Sequence, residues 1–259
     1  MADLGLLVPA SLTMSDPRST QASDARFPTT HWSRVLEAGG PATPQAREAL
    51  AELCTSYWFP VYAFIRHQGH EPHQAQDLTQ AFFVHLLEKG SLAAVDPCRG
   101  RFRAYLRTAC AHFLADQRNR DRAQKRGGGR AVLSIDARDA EGRYLREPAH
   151  NLTAERLFER TWALTLLDRV LDRLGGEYQR AGQAAQFEQL KVVLTAGPRT
   201  VPYATLAARL GMAEGTVQGA VHRLRKRYRA ILLDEIAATL DDPAGVEEEV
   251  QALFEVLGA

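Results

Sequence analysis

Cysteine is scarce in this 259-residue chain: Cys54, Cys98 and Cys110 stand far apart, with no CxxC pair among them. An odd, dispersed set suits neither a disulfide framework nor a zinc site, and it fits a reducing compartment. Long apolar runs are missing as well, since none approaches the ~20 residues a membrane helix requires. The opening MADLGLLVPASLTM lacks a basic flank and is interrupted by Pro9, so a signal peptide is not expected. Catalytic spacing is equally absent. No local Ser/His/Asp, Cys/His or paired-carboxylate arrangement suggests chemistry, although such sites can assemble from distant residues. Gly127, Gly128 and Gly129 are followed by no Gly-Lys-Ser/Thr and end a helical pattern where a phosphate loop would begin one. His67, His70 and His73 are interrupted by Pro72 and lack a completing Cys or carboxylate set. The expectation is a soluble, cytoplasmic protein that is not an enzyme and has no cofactor or metal.

Net charge is also nearly absent, at +1, so only its distribution informs. Residues 99–130 carry ten bases against two acids, Asp116 and Asp121, a local net charge of +8. Residues 241–259 hold six acids and no base. With 45% hydrophobic residues the chain has enough apolar material to rule out wholesale disorder and build one or two cores.

The apolar periodicity predicts an all-α protein with two small helical domains joined by a flexible linker. Residues 1–26, rich in Ser, Asp, Pro and Thr, are expected to be a disordered extension, with Met14 an alternative start. A first domain covers 27–126. It includes a helix-pair segment with Leu50, Leu53, Tyr57, Phe64 and Ile65, which Pro60 is expected to kink or divide. A second segment opens at Pro72 and stops before Gly90, and a third runs over 102–126. Residues 127–152 show no helical period and read as a linker with a brief extended piece at 132–135. A second domain covers 153–240 and opens on a strongly amphipathic helix with Thr153 as N-cap. Residues 241–259 form an acidic helical tail with Val246, Val250, Leu253 and Leu257 in register.

The densest functional signal is YATLAARLGMAEGTVQGAVHRLRKRYR at 203–229. Leu206, Ala207 and Leu210 give a short helix its apolar face, and Gly211 supplies a turn at which positive φ is free of strain. Val217, Val221 and Leu224 then recur on a second helix. Thr216, Gln218, His222 and Arg223 fall on its outer side, followed by Arg225, Lys226, Arg227 and Arg229, with no acid between 217 and 229. This is the pattern of a helix-turn-helix, whose second helix can enter a DNA major groove. Such helix pairs also occur with no DNA role, and a basic face also serves as solvated surface, so spacing alone leaves both readings open.

Two other stretches carry weight. At 77–87, Leu78, Phe82 and Leu86 share one strip, while Asp77, Gln80 and Phe83 point to other faces. Adjacent Phe82 and Phe83 cannot share a face, so at least one is expected to be partly exposed and able to anchor a partner. At 99–126, aromatics alternate with arginines, a pattern suited to single-stranded nucleic acid through stacking and phosphate pairing. An Arg-rich polar face on a core helix is the alternative.

These three stretches, in this order, resemble a bacterial sigma factor of the extracytoplasmic-function (ECF) group in the sigma-70 family. AQDLTQAFFVHLL at 75–87 is similar to the family helix that docks on the β′ clamp helices of RNA polymerase, which implies polymerase contacts for Asp77, Gln80, Phe83 and Leu86. RFRAYLRTACAHFLADQRNR at 101–120 is similar to the segment that melts and reads the −10 element, which implies DNA roles for Arg101, Phe102, Tyr105, His112, Asp116, Arg118 and Arg120. The 203–229 stretch is similar to the −35-binding helix-turn-helix, implying the same for Thr216, Gln218, His222, Arg223, Arg225, Lys226 and Arg227. FPTTHWSRVLEAG and LSIDARDAEGRY further resemble ECF-like factors of planctomycete-type bacteria. The resemblance implies core RNA polymerase (β′ clamp helices and β flap) and promoter DNA as partners, leaves room for an anti-sigma factor, and involves no membrane. The chain departs from the family at His112, Tyr105 and the Gln218-Gly219-Ala220 triplet, which replaces a more usual Lys-Ser-Arg and removes two cations. An autonomous helix-turn-helix regulator is the competing reading.

Overall fold

The computed structural model describes residues 43–88, 102–123, 140–146, 152–195, 201–237, 240 and 245–258. The expected N-terminal extension at 1–26 and the extended piece at 132–135 lie outside them. The described residues are all-α, in ten helices: α1 Pro44–His67, α2 Pro72–Glu88, α3 Phe102–Ala123, α4 Ala140–Arg146, α5 Ala154–Arg180, α6 Ala184–Leu190, α7 Val192–Thr195, α8 Tyr203–Leu210, α9 Glu214–Ala237 and α10 Val246–Gly258. They form two compact units. One is residues 168–234; the other joins the described residues up to 167 with 235–257. Each boundary falls inside a helix, first in α5 and then in α9.

In the larger unit α1 is the central element. Its second half, Ser56 to Ile65, is buried on every side, the signature of a helix enclosed by neighbours rather than laid on a surface. Pro60 sits inside it and the helix continues through. The expected division does not occur, because burial all round offsets the roughly 3 kcal/mol an internal proline costs. The helix closes through Gly69 at φ 92°, whose N–H donates to the Arg66 carbonyl at 3.0 Å. Pro72 then opens α2, where a missing N–H costs nothing. Aromatic contacts tie the unit together: Tyr57 to Phe102 at 5.4 Å, Phe82 to Phe113 at 5.7 Å and Phe64 to Phe158 at 6.2 Å between ring centroids. Thr153 caps α5 as its sequence predicts, its Oγ1 accepting from the Arg156 N–H at 3.3 Å.

In the smaller unit, Val170 and Leu174 of α5 are buried along with Phe187, Leu190, Leu206, Val217, Val221 and Leu224. α6 and α7 are separated by a turn at Lys191. Gly211 takes φ 63°, the left-handed C-cap of α8, and the Met212 N–H donates to the Ala207 carbonyl at 3.0 Å. α9 starts three residues after α8 ends.

Gly175 and Gly176 sit side by side in α5 but in different surroundings. A Cβ on Gly175 would lie 2.9 Å from the buried Phe187 ring, which also packs on Tyr178 at 5.4 Å, whereas a Cβ on Gly176 meets nothing within 4 Å. Gly176→Ala should therefore stabilise the protein by about 0.5–1 kcal/mol through helix propensity. Gly175→Ala should destabilise it, because moving a packed ring costs about 1–3 kcal/mol. Thermal unfolding followed by circular dichroism compares them; equal gains from both would refute the close packing of α5 on α6.

Candidate nucleic-acid interface

The outer side of α2 is polar. Gln74, Asp77 and Ala81 are exposed, Gln80 is half-buried, and Thr79 is turned inside with its hydroxyl donating to the Ala75 carbonyl at 2.7 Å. Phe82 and Phe83 are both buried, 0% and 3% exposed, with their rings 5.6 Å apart. The expectation of an exposed aromatic anchor is therefore corrected. Phe82 meets Phe113 of α3, and the enclosure of α2 extends round to Phe83 and Leu86. Asp77 and Gln80 thus remain on the accessible side, with Phe83 and Leu86 beneath them in the core.

α3 divides its charge between inside and outside. Phe102 is buried, edge-on to Tyr57, and Tyr105 is half-buried against Phe102 at 6.0 Å. Of the two, only Tyr105 has a face near solvent, and Phe102 lies in the core. His112, Asp116, Arg118 and Arg120 are exposed along the second half of the helix, and Arg101 lies outside the described residues.

Arg103, which the sequence did not single out, is 7% exposed. Its Nε donates to Glu159 Oε2 at 2.6 Å, its Nη1 donates to Glu249, and its guanidinium lies 4.3 Å from the centre of the Trp162 ring. Burial alone would push this guanidinium toward neutrality, but the Glu159 and Glu249 carboxylates outweigh that and hold it charged. Arg107 also reaches Glu159, at 3.3 Å. The basic stripe is accordingly less basic toward solvent than its composition suggests.

On α9, Thr216, Gln218, His222, Arg223, Lys226 and Arg227 are exposed and Arg225 is half-buried. The Arg223 side chain passes over Gly219, where an added Cβ would meet Nη1 at 3.4 Å, an ordinary contact. Arg227 is engaged elsewhere: its Nε and Nη2 donate to the two carboxylate oxygens of Glu177 in α5, at 2.7 and 2.6 Å. That bond holds the Glu177 carboxyl below its ordinary range. A bidentate pair of this kind orients Arg227 toward α5, and Arg223 and Lys226 carry the more open positive charge.

The stretch read as linker contains α4. Its seven residues, with Gly142 inside, show no usable period, and a helix so short does not stand alone in water. Side chains hold it in place. Glu141 accepts from Arg66 Nε at 2.9 Å and Nη2 at 2.7 Å, and from the Tyr62 hydroxyl at 2.5 Å. Arg66 also lies 5.0 Å from the Tyr144 ring, and Arg143 lies 4.2 Å from that of Phe59. The Arg66 guanidinium is the main cause of a lowered Glu141 pKa, against the opposing effect of burial.

Among the described residues no group of three or more His, Cys, Asp or Glu side chains is placed to hold a metal ion, and no helix is long and apolar enough to cross a membrane. Cys54 and Cys110 are buried, and burial pushes the Cys54 thiol up to about 11 and that of Cys110 in the same direction. A family model described as ECF sigma factor matches residues 63–234, more than half of the chain and a span that includes α2, α3 and the α8–α9 pair. No curated protein and no solved structure matches the chain.

Glu141 gives α4 a pH dependence whose sign follows from its shift. Its folded-state pKa is lowered below 4.5, so its stabilising effect is fully present above that value and is lost as pH falls through the folded one. Hydrogen-exchange protection of residues 140–146, corrected for intrinsic rates, should fall on acidification below about 4.5 ahead of the α1 core. Glu141→Gln should flatten that dependence. Unchanged acid sensitivity in the variant would show that Glu141 does not anchor α4.

Proposed function

The chain belongs to the ECF sigma factor family, and on that premise we propose that it directs core RNA polymerase to specific promoters through three separate surfaces. Membership makes it a transcription-initiation factor that works with polymerase and promoter DNA. The exposed side of α2 is the polymerase-facing surface: Asp77 and Gln80 meet the β′ clamp helices, with Phe83 and Leu86 supporting them from below. The exposed side of α3 receives the opened −10 strand. Tyr105 offers a ring for an unstacked base, His112 and Asp116 offer polar contacts, and Arg118 and Arg120, together with Arg101, meet phosphates. α9 enters the −35 major groove. There Thr216, Gln218, His222 and Arg223 face base edges, Arg225 and Lys226 approach the backbone, and Arg227 is braced on Glu177.

In this division residues 27–126 form the polymerase and −10 module, 153–240 form the −35 module, and the β flap is the latter's polymerase contact. The protein binds and positions, acts in the cytoplasm, and carries out no chemical step itself. The observation that carries the reading is the family match, which spans all three surfaces in one chain. Beside it stands an exposed cationic face on α9 with no acid from 217 to 229.

Two substitutions separate the surfaces. Arg223→Ala should weaken −35-dependent transcription by about 1–3 kcal/mol, the range for a lost base contact, and leave co-elution with core polymerase intact. Loss of co-elution would contradict the assignment. Asp77→Lys should abolish holoenzyme assembly while duplex binding through α9 persists, and transcription at the unaltered level would rule out the α2 surface.

A further inference from the structure

The acidic tail helix α10 has a definite place in the larger unit. Glu249 of α10 is fully buried in the larger unit and bonded to Arg103 of α3. Leu253 is buried beside it in sequence order one turn on, while Val246, Val250, Phe254 and Leu257 are only half-buried. At the other end of α10, Arg160 Nη1 donates to the Leu257 carbonyl at 2.9 Å, a cation on the negative end of a helix. Glu247, Glu248 and Glu255 remain exposed. The helix is thus held by charge at both ends, with a thin apolar stripe between. Such a contact fixes register well, yet it stabilises less than an apolar seam of the same size, because both ions must give up water.

The Arg103 that α10 meets belongs to a set of groups with its own chemistry. Arg103 lies against Trp162, and Arg107 stands one turn further along α3 with Glu159 between them. A guanidinium beside an indole face, with a second guanidinium nearby, is the combination that takes a phosphate and stacks a base. The carboxylate of Glu249 occupies the position a phosphate would take. α10 carries four acids and no base, and one of them, Glu249, meets Arg103.

We propose that α10 is an acidic latch that occupies a single-strand-binding surface formed by Arg103, Arg107 and Trp162, and that it is displaced when the opened promoter strand engages α3. This rests on the −10 reading given above and adds the Arg103 and Arg107 side of α3 to the strand's path. Closed latches lower apparent affinity by the fraction of molecules that are open. Weakening α10 should therefore strengthen strand binding, the reverse of what loss of a structural helix would do.

The test uses the full-length chain, alone and with core polymerase, and a fluorescent single-stranded oligonucleotide of mixed sequence. Glu249→Gln keeps the shape and removes the charge. It should tighten single-strand binding by the chain alone on the order of tenfold, equivalent to about 1.4 kcal/mol. It should also steepen the salt dependence by about 0.7 in log–log slope, because Arg103 loses its Glu249 partner while Arg107 stays paired with Glu159. Arg160→Gln, which removes the cation at the far end of the helix, should act in the same direction and keeps the test decisive if the first variant folds poorly. Hydrogen exchange in α10 should accelerate when the unaltered holoenzyme is given the strand. Unchanged affinity and slope in both variants, with α10 still protected in a strand-bound holoenzyme, would overturn the latch and leave the −10 reading standing. Failure of the holoenzyme to bind the strand in any form would overturn the −10 reading and the latch with it.

Discussion

A buried guanidinium imposes the strongest constraint on the larger unit. Arg103 can stay charged inside only because Glu159 and Glu249 meet it and Trp162 covers its face. Removing one partner from such an arrangement typically costs about 3–5 kcal/mol, since the remaining charge is left uncompensated. The partners come from helices distant in sequence, so this one residue ties α3, the first half of α5 and α10 into a single register. Apolar contacts among Tyr57, Phe102, Phe64 and Phe158 supply bulk burial. The charge cluster decides how the helices are aligned.

The same cluster determines which charges are left for partners. With Arg103 and Arg107 turned toward acids, the open cations of α3 are those of its second half, Arg118 and Arg120. On α9 the Glu177 carboxylate plays the corresponding part by holding Arg227, so Arg223 and Lys226 are the outward ones. On α2 the aromatics fill the core and leave Asp77 and Gln80 on the surface. Internal pairing thus takes Arg103, Arg107 and Arg227 toward acids and leaves other cations more open to solvent.

Local pattern made much of this legible in advance. Val217, Val221 and Leu224 recur at helical spacing, and Gly211 takes the positive φ its place after Leu210 suggested, because both properties are decided within one or two turns. Thr153 caps α5 for the same reason. The interior was harder to read. Phe83 looked exposed because periodicity allots one face per helix, and it cannot show that α2 is enclosed on two. α4 was invisible because AEGRYLR has no apolar stripe and is held by Arg66 and Tyr62, more than seventy residues earlier in the chain. Arg103 read as one more cation in a basic stripe. Only the fold brings Glu249, from the far end of the chain, to meet it. The resemblance to a known family pointed to the three stretches, and the fold shows which of their side chains are exposed and which are buried.

The most direct measurement of the central claim is transcription by purified core polymerase on a pool of genomic promoter fragments, with start sites mapped with and without this chain. The account predicts discrete new starts that need both polymerase and chain, together with weak duplex binding by the chain alone. No new starts, with tight duplex binding that needs no polymerase, would mean that the protein is an autonomous regulator and that its polymerase-facing surface has been misread.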